Sequence, residues 1–399
     1  MEKKNVLFVI PSLSAGGGEK SLINLLTQID YEKYNIDLFL FNHEGLFMNF
    51  IPKEVQVLPL PDIFKLFSLP FFKSIKELVF IGEISVAYNR LVFLVKNKSL
   101  KNVSTREQYT WKNVSKSLSP LEKKYDAAIG FLEKTSTYFC VDKVLAKKKL
   151  GWIHIDYDQL GMDPVFDIPY FEKLDQIVTV SEECANIFKN RFPTQKNKVK
   201  VIYNVISPTI ITRMANQVQT DVYNRKENEI IILSIGRLHY QKGFEIAIES
   251  CKKLLDKGYK VKWNIIGEGG ERETLTKLIK EYGLEDFFNL LGLKSNPFPY
   301  IKQADFYVQT SRFEGKSIAI DEAKILNKPI ITTNYSTAKD QIHHGENGLI
   351  AEMNADSVAE KIEWLIKDIN LRNKFEMNLA KLNLGTEGEI NKLYKILSG

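Results

Sequence analysis

Three loops hold most of the residues whose types and spacing could do chemistry. The first, Ser12-Leu13-Ser14-Ala15-Gly16-Gly17-Gly18-Glu19, follows the apolar run Val6–Ile10. Glycines lack a Cβ, so their backbone N–H groups can approach a phosphate, and a helix starting there adds its positive end. The same residues would also make a plain tight turn, and the spacing is not the G-x-G-x-x-G of dinucleotide sites. The second loop, Gly236-Arg237-Leu238-His239-Tyr240-Gln241-Lys242-Gly243, carries an arginine and a lysine five residues apart. Together they could neutralise a diphosphate, Arg237 through its planar fork and Lys242 as a point charge, or both could be solvated surface charges.

The third loop, Glu314-Gly315-Lys316-Ser317-Ile318-Ala319-Ile320-Asp321-Glu322, reads as the start of a helix near Ser317. Its two glutamates would lie ~12 Å apart along a helical rise. A hydrolytic carboxylate pair needs about 5–9.5 Å, so the spacing suits gripping two ends of an elongated ligand. Two surface glutamates would look the same.

These loops need elements to position them. Short runs rich in β-branched and aromatic residues predict strands at Val6–Ile10, Ile36–Phe41, Val55–Leu58, Ala127–Phe131, Gly151–Ile153, Ile177–Val180 and Val199–Tyr203. In the second half they fall at Ile230–Ile235, Val261–Ile266, Phe288–Leu290, Phe306–Gln309 and Pro329–Thr333. Amphipathic stretches alternate with them; Phe244–Lys257 repeats its apolar residues at helical spacing and stops at Gly258. Such alternation means parallel sheets with helices on both faces, an α/β fold class. Asn5–Gln28 and Glu229–Lys257 each read strand, glycine-bearing loop, helix, so each would open a doubly wound Rossmann-like sheet. Between them Ser207 to Asn228 is polar and irregular, with Pro208, Asn216, Gln217, Gln219 and Asn228. The expected domains are therefore 1–205, 206–384, and a C-terminal helix in 385–399 that packs back on the first domain.

The order of motifs is more telling than any one of them. Gly-rich loop, Gly236-Arg237-Leu238 with Lys242-Gly243, Gly267-Glu268-Gly269-Gly270-Glu271, Glu314 and Glu322 with seven residues between, then Glu346-Asn347-Gly348-Leu349 follow one another. This resembles the retaining glycosyltransferases of family 4, which have the GT-B fold of two Rossmann-like domains facing a central cleft. The resemblance spans nearly the whole chain. It is specific between Val201 and Leu365, and in the first half it rests on the Gly-rich loop and Trp152-Ile153-His154. It implies that Arg237 and Lys242 bind the donor diphosphate with backbone amides of Gly16, Gly17, Lys316 and Ser317. It also implies that Glu322 holds the ribose hydroxyls, that Glu314 faces the transferred sugar, and that His154 is the active-site histidine. No metal or cofactor is implied beyond a nucleotide-sugar substrate, with UDP-sugar the expected donor and a glycan or lipid-linked envelope acceptor the expected partner. Lys316-Ser317 and Ile320-Asp321 depart from the usual family residues, and Asp321 is expected to point to solvent, with tuning of the sugar pocket as the alternative.

Composition bounds these expectations. At 399 residues the chain exceeds the roughly 250–300 of one core, so two domains are the default. The longest stretch without Asp, Glu, Lys or Arg is the 14 residues Asn5–Gly18, short of the ~20 that span a membrane. No small-residue cleavage site marks a signal peptide, and three scattered cysteines suit a reducing cytosol, so a cytoplasmic protein is expected. The net charge is +6, yet residues 62–124 alone hold 12 Lys and Arg (Lys101 among them) against 5 Asp and Glu. This basic, partly helical segment also clusters Phe and Leu, which favours an anionic membrane surface over nucleic acid. Asp156-Tyr157-Asp158 matches a metal-binding triplet but sits in the wrong half for a nucleotide, and the five histidines show no ligand spacing. A GT-B protein without catalysis, supporting another transferase, is the alternative, and the intact Arg237, Lys242, Glu314 and Glu322 weigh against it.

Overall fold

The computed structural model describes residues 3–14, 16–100, 102–217 and 221–398. Ala15 of the first loop, Lys101 of the basic segment and Gln219 of the inter-domain stretch lie outside the described residues. The chain divides into two units, one formed by Met1–Ser14, Leu22–Tyr203 and Ile390–Gly399, the other by Ala15–Ser21 and Asn204–Glu389.

In the first unit the strands are β1 (Lys4–Ile10), β2 (Tyr34–Leu40), β3 (Val55–Val57), β4 (Tyr125–Gly130), β5 (Ala146–Ile153), β6 (Gln176–Thr179) and β7 (Val199–Val201). They form one parallel sheet in the order β3-β2-β1-β4-β5-β6-β7. The second unit holds β8 (Ile230–Ile235), β9 (Val261–Ile266), β10 (Phe288–Leu290), β11 (Phe306–Gln309), β12 (Ile330–Thr333) and β13 (Leu349–Ala351). Their order, β10-β9-β8-β11-β12-β13, repeats the same winding. Central strands read as continuous apolar runs because helices cover both faces; Ile231, Ile232 and Leu233 are fully buried.

Three expectations need correction. β5 begins at Ala146, five residues early, because Lys147, Lys148 and Lys149 lay their stems along the sheet while their ammonium groups reach Asp126, Ile396 O and Val141 O. The stretch after Ser207 is not irregular throughout: Pro208–Ala215 is a helix with Pro208 in its first turn and Ile211 and Ala215 buried. β13, Leu349–Ala351 directly after Asn347-Gly348, was not foreseen.

Helix Ile390–Ser398 belongs to the first unit. Lys4 and Lys148 donate to its last carbonyls, Leu397 O at 2.8 Å and Ile396 O at 2.7 Å. Tyr394 stacks on Tyr34 with ring centroids 5.2 Å apart.

The basic segment folds into four helices, Asp62–Ser68, Phe71–Phe80, Ile84–Ser99 and Val103–Val114. Phe67, Leu78, Val86 and Ala87 make a small core among them.

Candidate functional site

Both sheets reverse their winding beside their first strand, between β1 and β4 and between β8 and β11. Ligands of doubly wound folds sit outside the carboxyl ends of the strands at that point. In the second unit the loops leaving β8 and β11 are the Arg237–Lys242 loop and the Glu314–Ser317 loop. Strand order therefore brings together what sequence spacing keeps 72 residues apart: Lys242 Nζ lies 2.5 Å from Glu314 Oε1. The same oxygen accepts from Ser311 Oγ at 2.6 Å and Gln309 Nε2 at 3.2 Å, and Oε2 accepts from Gln241 Nε2 at 3.3 Å. Glu314 is buried, not a surface glutamate.

The first turn of helix Gly17–Leu26 groups with this unit and supplies two more ion pairs. Glu19 Oε1 meets Arg237 Nη2 at 3.0 Å, leaving the guanidinium half-exposed. Lys20 Nζ pairs with Glu322, whose side chain is only 2% exposed. Each cation thus faces a carboxylate, and an incoming diphosphate would have to replace those partners.

The glycines divide by role. A Cβ on Gly16 would overlap the Glu19 carboxylate and crowd Arg237, so a larger residue there would displace that ion pair, whereas a Cβ on Gly17 meets nothing within 4 Å. The run at Gly267–Gly270 packs the β9 exit against the β8 exit: a Cβ on Gly267 would stand 1.9 Å from Gly236 O. That closeness holds the backbone on either side of Arg237, with Leu238 N donating to Glu268 O.

Helix Ile318–Ile325 starts where expected, with Ser317 as its N-cap. One expected phosphate amide is taken, however: Ser317 N–H donates to Gln341 Oε1 at 2.8 Å, and Ser317 Oγ contacts Gln309 Oε1 at 2.8 Å. Asp321 does not point to solvent. It accepts from Gln341 Nε2 at 2.8 Å, with Lys316 Nζ 3.9 Å away, both side chains largely covered. Gln341 so ties together the helix start and the departure at Asp321.

In the first unit His154 follows the end of β5. Its ring lies 4.8 Å from Phe131 and 6.0 Å from Trp152, and its Nε2 is shut off from solvent with no hydrogen-bond partner among the described residues. Burial pushes its pKa down to about 3, so it is a neutral imidazole near pH 7. Its backbone N–H donates to the Glu133 carboxylate, itself pushed up by burial. Glu133 and Lys134 lie in the loop leaving β4, and Lys134 adopts a positive φ of 62° while pairing with Glu107 at 2.6 Å. The Asp156-Tyr157-Asp158 triplet is a turn: Asp156 Oδ1 accepts from Asp158 N at 3.0 Å, and Asp158 pairs with Arg191 at 2.7 Å.

Sequence reasoning missed Lys20, Glu133, Gln309 and Gln341 as partners of site residues. Glu19-Lys20 directly after three glycines was the one visible signal, two opposite charges in a helix's first turn.

The model of the glycosyl transferases group 1 family matches residues 216–381. The match covers 166 of the 399 residues. The chain is also similar to an uncharacterized glycosyltransferase of Methanocaldococcus jannaschii, 30% identical over 196 residues, 49% of this chain and 46% of that protein. It is also similar to the N-acetylgalactosamine-N,N'-diacetylbacillosaminyl-diphospho-undecaprenol 4-alpha-N-acetylgalactosaminyltransferase of Campylobacter jejuni. There the identity is 28% over 213 residues, 53% of this chain and 56% of that protein. The chain spans about half the length of the curated relatives it matches. In the crystal structure of Anabaena HepE in complex with UDP-glucose the fold recurs with a TM-score of 0.70 at 17% identity, covering 99% of both chains. The fold is GT-B, and the matched residues 216–381 contain Arg237, Lys242, Glu314 and Glu322.

Proposed function

We propose that the chain is a retaining, family 4 glycosyltransferase that moves a sugar from a nucleotide donor, a UDP-sugar, to a cell-envelope glycan or lipid-linked acceptor. The observation that carries this reading is the Lys242–Glu314 pair at the β8/β11 switch point, with Arg237 and Glu322 on the segments that follow the same two strands, inside the matched residues 216–381. Similarity to an enzyme named for a diphospho-undecaprenol acceptor supports the acceptor class, and similarity to a structure holding UDP-glucose supports the donor.

The bond from the anomeric carbon to the diphosphate breaks as the leaving group gathers negative charge. Arg237 and Lys242, with amides of Gly16, Gly17 and Lys316, stabilise that charge, so the reading asks for no metal ion. Glu322 accepts from the ribose hydroxyls and Glu314 faces the transferred sugar. In retention, a diphosphate oxygen takes the acceptor hydroxyl's proton as the acceptor oxygen bonds the same face of the sugar.

A panel of UDP-, GDP- and ADP-sugars, followed by donor hydrolysis and thermal stabilisation, tests this. One UDP-sugar should be hydrolysed and Glu314→Ala should abolish turnover. Binding without hydrolysis or transfer would favour the non-catalytic partner instead.

The same reading places the protein in the cytoplasm, peripheral on an anionic membrane surface. Phe72 (85% exposed), Phe80 (84%) and Tyr88 (66%), with Ile84, leave an apolar face uncovered on Phe71–Phe80 and Ile84–Ser99. Lys73 and Lys76 lie on the first of these helices, in a segment whose net charge of +7 repels a second copy of itself. Lys65 and Lys96, by contrast, are engaged, with Asp62 at 2.8 Å and with Tyr109 O at 3.0 Å. No helix among the described residues is long and apolar enough to cross a membrane. Each lysine near an anionic surface contributes about 1 kcal/mol, so Lys73→Glu with Lys76→Glu should weaken binding to phosphatidylserine-containing vesicles at least about tenfold. Unchanged sedimentation with those vesicles removes the membrane from this reading.

A further inference from the structure

Glu314 and Glu322 are both buried carboxylates, yet their surroundings differ. Glu314 receives donors from Lys242, Gln241, Gln309 and Ser311. Glu322 receives Lys20 alone; no other donor among the described residues reaches its carboxylate. Lys20 is itself four-fifths covered and stands over the Phe298 ring, 4.8 Å from its centroid, which fixes its ammonium above Glu322.

We propose that Lys20 is a positioning residue for nucleotide binding, holding Glu322 ionised so that its remaining lone pairs accept from both ribose hydroxyls. The inference rests on Glu322 being the ribose acceptor. Vicinal hydroxyls are donors toward a carboxylate, but a protonated carboxyl has lost part of its accepting capacity and offers a donor in its place. A buried charge persists only when paired. Burial pushes the Glu322 carboxyl up, and the Lys20 ammonium is the main influence pulling it back. The other groups facing it do not help. Asp321 on the same helix adds negative charge. Tyr307 on β11, buried and itself pushed up, is a neutral phenol. Removing Lys20 would therefore push Glu322 further toward its protonated form, a shift that rising pH opposes.

The test measures UDP affinity between pH 7 and pH 9 for the wild type, Lys20→Met, Lys20→Arg and Glu322→Gln. Wild type and Lys20→Arg should bind with little change over this range. Lys20→Met should bind about tenfold or more weakly at pH 7, one unit of displaced titration being worth a factor of ten, and should recover toward wild type at pH 9. Glu322→Gln should bind weakly at every pH. A Lys20→Met protein that matches wild type throughout, or is weakened equally at both ends, overturns the proposal, the second outcome marking Lys20 as a mere tether. Wild-type protein without UDP affinity, or Glu322→Gln binding as wild type, overturns the ribose assignment and this inference with it. Melting temperatures of the variants separate either result from misfolding.

Discussion

Replacing Lys242 with methionine is expected to lower kcat for sugar transfer about 10²–10³-fold, equivalent to about 2.7–4 kcal/mol of transition-state stabilisation. The ammonium is largely covered, and under the proposed function its role would grow as the diphosphate departs, because charge at the leaving oxygens would exceed that in the bound donor. KM should therefore change less than kcat. Glu314 keeps Gln309, Ser311 and Gln241 after the substitution, so the loop leaving β11 retains hydrogen-bond support, while the melting temperature should fall because the buried carboxylate loses its cation. Lys242→Arg, which keeps the charge, should recover part of the rate. Steady-state kinetics with the donor found in the panel decide the matter, and a Lys242→Met enzyme within about threefold of wild type would refute the role. Because Lys242 and Glu314 share one ion pair, Lys242→Met and Glu314→Gln should be strongly non-additive.

Trp263→Ala should be the most damaging single change to the second unit's stability. The indole is fully buried on β9, its ring centroid 5.9 Å from that of Phe288, and Nε1 donates to Ser234 Oγ at 2.9 Å. Ser234 Oγ in turn donates to Val308 O at 2.6 Å, so one side chain links β9, β8 and β11, the strands that aim the candidate site. Truncating such a side chain costs about 3–5 kcal/mol through lost burial and the cavity left behind. At about 2–4 °C per kcal/mol for a unit of this size, the second unit's melting transition should fall by roughly 6–20 °C. Trp263→Phe, which keeps the ring contact and loses the hydrogen bond, should cost only about 1–2 kcal/mol. A loss below about 1 kcal/mol for the alanine variant would mean the site collapses around the gap.

Both predictions concern residues whose partners differ in how visible they are along the chain. Apolar patterning alone is enough to place β8, β9, β10 and β11, since a near-continuous apolar run such as Ile230–Ile235 has one use in a doubly wound sheet and Val261, Trp263, Ile265 and Ile266 outweigh the two polar residues between them. Strand bounds blur where lysines enter β5, because a long stem can line a sheet while its charge escapes, and alternation cannot register that. Loop contents are equally legible: a residue just past a strand's end in such a fold lies on the binding side, which marks Arg237, Lys242 and Glu314 as candidates, whereas His154 rests on the family resemblance. Asp321 was misjudged for a physical reason. A lone carboxylate on a helix is normally solvated, and the partner that keeps it covered, Gln341, comes 20 residues later from beyond β12.

By itself, then, the sequence determined the α/β class, the two windings and the loops that carry chemistry, all of which follow from local periodicity and from glycine's freedom. Only the tertiary structure decided which charge meets which. Lys242 opposes Glu314 because β8 lies beside β11, and Lys20 opposes Glu322 because the first turn of an N-terminal helix groups with the second unit. Side chains this far apart in the chain meet only through strand order, which spacing does not encode. Protonation of a buried carboxylate depends on that meeting.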